Sequence, residues 1–175
     1  MPHVLRGLIV VAFLSAAGWA QSGADLSGAW VLDDGASTAP AVPMPPAPQD
    51  GPPPPPPPRQ VALRIARTQG AFRIERTLST SGNAATQDAT YRLDGSQTTS
   101  RMGPIVSTTT ASWDGRELLL STVQTGAGDT GPMAGQVLAD LQERFTLKDG
   151  RLVIESLRRA SGSQSNAKMV YTRVR

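Results

Sequence analysis

Arg76, Glu143 and Arg158 sit where a strand-forming sequence places apolar side chains. Arg76 shares the parity of Phe72, Ile74 and Leu78. Glu143 shares that of Val137, Ala139, Leu141, Phe145 and Leu147, and Arg158 that of Leu152 and Ile154. Residues two apart on a strand point to one face, so the alternation sends one carboxylate and one or two guanidiniums inward. A buried charge costs several kcal/mol unless it is paired and hydrogen-bonded. Glu143 is therefore expected to pair with Arg76 or Arg158. Such a pair would place polar anchors in a mostly apolar pocket, the composition of small-molecule sites. The plainer alternative is a bulge that flips the parity, or charges at strand ends that reach water.

Little else in the chain could do chemistry. It has no Cys, and its one histidine, His3, lies in the first twenty residues. Beyond them there is no thiol nucleophile, no imidazole base and no N/S metal site of the usual kind. Hydrolysis by two carboxylates needs them about 5–10 Å apart across one cleft, and Asp88, Asp129, Asp140 and Glu155 define no such pair by spacing. The glycine-rich run Thr125 to Gly135 lacks the Lys-Ser/Thr ending of a phosphate loop. No catalytic residue, metal ligand or cofactor is assigned, and an enzyme is not expected. Hydroxyls gather instead on Ile105 to Trp113 (IVSTTTASW), where Ser107, Thr109 and Ala111 share the face of Trp113. That face would be small and partly polar, although an ordinary edge strand has the same composition. The candidate ligand-binding residues are Arg76, Tyr91, Thr109, Trp113, Glu143 and Arg158.

The elements that must position these residues are strands. Val61, Leu63 and Ile65 alternate with Ala62, Arg64 and Ala66, and Ala89, Tyr91 and Leu93 alternate with polar neighbours. Asp25 to Asp33 reads as a first strand whose Leu26, Trp30 and Leu32 face a core. Gln69-Gly70, Asp94-Gly95, Asp114-Gly115 and Asp149-Gly150 mark turns, the Asp-Gly pairs as hairpins because the tight turn needs positive φ. Gly103-Pro104 reads as a break or bulge, and Ala134 to Leu141 could open as a helical turn. A single sheet of about ten strands would expose two edges and a wide apolar face, which closure removes. The expected fold is all-β: an antiparallel up-and-down meander forming a closed or nearly closed barrel of about 8–10 strands. A transmembrane barrel needs aromatic girdles. Beyond residue 20 there are only six aromatics, Trp30, Phe72, Tyr91, Trp113, Phe145 and Tyr171, so membrane insertion is not expected.

Residues 1–20 have the layout of a secretory signal. Arg6 supplies positive charge, Leu8 to Ala17 is an apolar run shorter than the roughly 20 residues of a membrane span, and Gly18-Trp19-Ala20 fits a cleavage site. Cleavage after Ala20 would leave a single domain, 21–175, in the periplasm or outside the cell. With Arg6 removed, 16 basic residues face 14 acidic ones, a net charge of +2. The arginines alternate along strands instead of clustering, so no nucleic-acid partner is expected. The domain carries a proline-rich insert, 34–59, with twelve of the fifteen prolines between Pro40 and Pro58. Proline lacks a donor and fixes φ, so the insert reads as disordered or polyproline II. Pro52 to Pro58 would form a rod of about 22 Å. It is a spacer, or a docking ligand for a protein partner with an aromatic groove.

Ser27-Gly28-Ala29-Trp30 resembles the Gly-x-Trp opening of lipocalin-like (calycin-type) barrels, in which the tryptophan plugs one end. The wider pattern resembles uncharacterised secreted bacterial proteins that open with Ser-Gly-x-Trp and repeat strands joined by Asp-Gly turns. The matching turns are Leu93-Asp94-Gly95, Trp113-Asp114-Gly115 and Lys148-Asp149-Gly150. The resemblance implies structural roles for Gly28 and Trp30, with Arg173 or Arg175 stacked over the indole. It also implies a barrel able to hold an apolar or amphipathic molecule. The chain departs from the pattern in its long proline insert and in lacking a Thr-Asp-Tyr turn. The expected function is binding of a small apolar or amphipathic ligand. The alternative is a structural or interaction module with a filled core, using the polyproline arm or a sheet edge.

Overall fold

Alternating apolar and polar residues build ten antiparallel strands: β1 (Gly28–Leu32), β2 (Gln60–Thr68), β3 (Ala71–Thr80), β4 (Asn83–Arg92), β5 (Thr98–Met102), β6 (Ile105–Asp114), β7 (Glu117–Gly126), β8 (Val137–Lys148), β9 (Arg151–Ala160) and β10 (Ser163–Arg173). The coordinates, a computed structural model, describe residues 23–38, 60–80, 83–128 and 134–174. Residues 1–20, Pro52 to Pro58 and most of the insert lie outside the described residues.

The strands form one sheet in the order β4-β3-β2-β1-β10-β9-β8-β7-β6-β5. β1 pairs on one side with β2, Trp30 opposite Leu63, and on the other with β10, Trp30 opposite Arg173. That double pairing curls the meander into a nearly closed barrel. The break lies between β4 and β5, which share no ladder. One hydrogen bond, from Thr98 Oγ1 to the Thr90 carbonyl at 3.1 Å, links the two sides there.

This break corrects the reading of Asp94-Gly95 as a hairpin. Asp94 instead caps a local turn, accepting from the Ser96 amide at 2.9 Å, and the Leu93 amide donates to Gly70, not to β5. The dipeptide turns the chain, but its neighbours' hydrogen bonds go elsewhere. Asp149-Gly150 behaves as expected: φ values of 51° and 74° place both residues in the left-handed region of a two-residue hairpin. Gly103-Pro104 closes the β5–β6 hairpin, with Met102 opposite Ile105. No helical turn opens at Ala134, since β8 is extended from Val137. A bulge beside Gln124 and Thr125 sets Val137 opposite Thr125. That shift turns Val137, expected inside with Ala139, outward to 64% exposure.

The insert begins later than its composition suggests. Asp34–Ala36 form a 3-10 turn capped by the Asp33 carboxylate, and Thr38 bridges Lys168 on β10.

The core fills one end of the barrel. Leu26, Trp30, Leu63, Ile65, Phe72, Ile74, Leu118, Leu120, Phe145, Leu152, Ile154 and Tyr171 are buried in one cluster, with Tyr91 and Trp113 packed against it. Each such Leu, Ile or Phe side chain contributes about 1.5–3 kcal/mol by leaving water.

Candidate functional site

The closed end is built first, by residues 23–27 and β1. Leu26 is fully buried and its carbonyl accepts from Trp30 Nε1 at 3.1 Å. Arg173 on β10 stacks its guanidinium 4.7 Å from the Trp30 ring centre and donates to the Ser27 carbonyl at 3.0 Å. Of the two arginines proposed for that stack, Arg173 makes it; Arg175 lies outside the described residues. Gly28, between them, has φ of +139°, a conformation side chains rarely adopt. Trp113 also belongs to this floor. Its ring meets Phe72 edge-on at 5.4 Å, and the Arg67 guanidinium lies 5.7 and 5.8 Å from the two ring centres.

Above the floor is a polar layer. Arg76 on β3 and Glu143 on β8 come from facing walls of the barrel, five strands apart in either direction. Arg76 Nη2 donates to both Glu143 oxygens, at 2.8 and 3.0 Å. The Glu143 side chain is 7% exposed and the Arg76 side chain 30%. Burial works against the Arg76 charge, but the field and hydrogen bonding of Glu143 outweigh it and raise its pKa above the ordinary arginine value. The same guanidinium lies 6.0 Å from the centre of the Phe145 ring. Tyr91 and Tyr171 stand close enough to feel both charges. Burial raises both phenols, Tyr171 to about 12, with Arg76 opposing the shift and Glu143 adding to it. Thr109 and Thr122 share a buried hydrogen bond of 2.8 Å on neighbouring strands.

Beyond this layer the inner wall opens. Two residues further along β3, Leu78 is 44% exposed. Leu141 and Arg158, paired across β8 and β9 two residues beyond Glu143 and Ser156, are half-buried and exposed respectively. Arg158 therefore reaches water at the mouth and makes no ion pair among the described residues, so the partner of Glu143 is Arg76. Alternation fixed the face of Arg158 but not its depth.

The structure thus joins Arg76, Glu143 and Tyr91, sets Thr109 on the same inner wall, and separates Trp113 below and Arg158 above. The sequence reading missed Tyr171, Thr122 and Arg67. Thr122 shares the parity of Leu118 and Leu120 and could have been found by it. Tyr171 follows buried Val170, and two adjacent buried residues obscure the alternation. A groove of about 490 Å³ lies on the outer wall beside Gln142, Arg144, Glu155 and Lys168. Leu157 and Ala167 also line it, but none of the sequence-predicted site residues does.

No protein-family model matches the chain, and no curated protein sequence matches it. Solved structures do. The REP1-NXSQ fatty acid transporter is similar with a TM-score of 0.52 at 18% identity, over 86% of this chain and 97% of its own. Zebrafish ileal bile acid-binding protein complexed with cholic acid scores 0.51 at 12% identity, over 85% and 98%. A secretory abundant heat soluble protein from Ramazzottius varieornatus scores 0.51 at 13% identity, over 88% and 98%. The chain shares the fold of these proteins, a nearly closed antiparallel meander barrel. Within this barrel the apolar floor, the Arg76–Glu143 layer and the open mouth lie in that order along one axis.

Proposed function

We propose that the protein is an exported, non-catalytic carrier that takes a small apolar or amphipathic molecule into the barrel through its mouth. The observation that carries this reading is the gradient along the inner wall. Side chains are sealed at the floor, polar and partly accessible at Arg76, and accessible at Leu78 and Leu141. Leu78 and Leu141 share the inward parity of the core residues, so their exposure leaves apolar surface at the mouth. Two similar structures are named for a fatty acid and a bile acid, which supports a ligand of that size and polarity. Export rests on the composition of residues 1–20.

The test is native mass spectrometry of protein purified from its own host. Retained small-molecule mass, lost on denaturation, is the expected result. Its absence, together with failure to bind the neutral fluorophore N-phenyl-1-naphthylamine, would dispose of the reading.

A second reading has one observation in its favour. β4 and β5 leave unpaired edges, and β4 is exposed along most of its length. An extended partner segment could add to either edge.

A further inference from the structure

We infer that Glu143 sets the ligand class: it excludes carboxylate-headed amphiphiles and selects those whose head is uncharged and hydrogen-bonding. This deepens the binding reading above and rests on it. Arg76 is the cation of the polar layer, and its charge is already matched by Glu143, with both carboxylate oxygens on Nη2. The layer is therefore neutral before any ligand arrives. A fatty-acid anion reaching the same depth would bring a second carboxylate to one guanidinium, beside a Glu143 that is almost fully buried. Two like charges in a poorly hydrated site cannot both remain ionised without cost.

An alcohol, amide or ester meets a different surface. Arg76 Nε and Nη1 have no protein partner among the described residues, and neither has the Tyr91 hydroxyl. A neutral oxygen can accept from the guanidinium without displacing Glu143, and a hydroxyl can also donate to Tyr91. Leu78 and Leu141, with Arg158 beside Leu141, then meet the tail toward the mouth.

The experiment is displacement of N-phenyl-1-naphthylamine from the full-length, signal-cleaved protein at neutral pH by dodecan-1-ol and by dodecanoate. The wild type is expected to prefer the alcohol by roughly tenfold or more, the scale of one charge-assisted hydrogen bond. In Glu143→Gln the order should reverse, because the bare guanidinium then recruits the anion. The double variant Arg76→Met/Glu143→Leu should bind the probe and show no gain for dodecanoate, and Arg158→Ala should keep the wild-type order. If Glu143→Gln does not fold, Glu143→Met, which also leaves Arg76 without its carboxylate, carries the same reversal test. Wild-type preference for dodecanoate, or loss of the alcohol preference in Arg158→Ala, overturns the inference while leaving the carrier reading intact. Failure of the wild type to bind the probe or either competitor sinks the carrier reading, and the inference with it.

Discussion

Tyr171 places a titratable proton where water is scarce, and its consequence is a pH-dependent stability. Its phenol is held to about 12 by burial, against about 10 in an unfolded chain. The unfolded state therefore loses its proton first, so stability is complete below about pH 10 and falls as pH rises toward 12. Tyr91 is raised for the same cause and acts in the same direction. Urea melts between pH 9 and 12 should show a loss on the order of 1–3 kcal/mol, and Tyr171→Phe should flatten most of it. The ion pair makes a second residue-scale prediction. Glu143→Ala strands a part-buried guanidinium and should cost about 1.5–3 kcal/mol in chemical denaturation. Arg76→Met/Glu143→Leu, which removes both charges, should cost far less or nothing. Parity alone exposed this pair in the sequence, because two charged residues broke otherwise apolar runs at Ile74–Leu78 and Leu141–Phe145. What parity does not encode is height along a strand, which is why Arg158 looked equivalent to Arg76.

At the scale of elements, β1 is only five residues long and is held by ladders to β2 and β10. The Arg173 stack on Trp30 and its hydrogen bond to the Ser27 carbonyl tie it further. Arg173→Ala should cost about 1–2 kcal/mol, since it removes a cation–π contact and a charged hydrogen bond. Near-ultraviolet circular dichroism should report the altered surroundings of Trp30. The insert makes the opposite prediction. Thr38, which bridges Lys168, and Gln60, which opens β2, are the described residues that flank it. Removing residues 40–58 should leave probe binding within about twofold, the tolerance expected of a surface connection; a larger loss would assign the insert to the pocket. Most strands were legible as alternation bounded by turn residues. Their pairing was less so: Asp94-Gly95 specifies a reversal of the chain, whereas the ladder depends on where Leu93 and Thr98 find partners. The Val137 error has a similar origin, because one extra residue in β8 is invisible to a period of two.

For the whole molecule, the arrangement that matters most is the pairing of β1 with β10. The Thr172 side chain bonds to the Val31 carbonyl across a separation of 141 residues, and no shorter connection draws the two ends of the meander together. Every other ladder joins consecutive strands, most of them across a short turn. On contact order the β1–β10 ladder is expected to form last, after nine strands have been laid down in order. Until then, the edge groups that β1 and β10 later offer each other are a sticky seam. A chain that emerges amino terminus first delivers β1 long before its second partner. During that interval, protection from self-association would have to come from outside the fold.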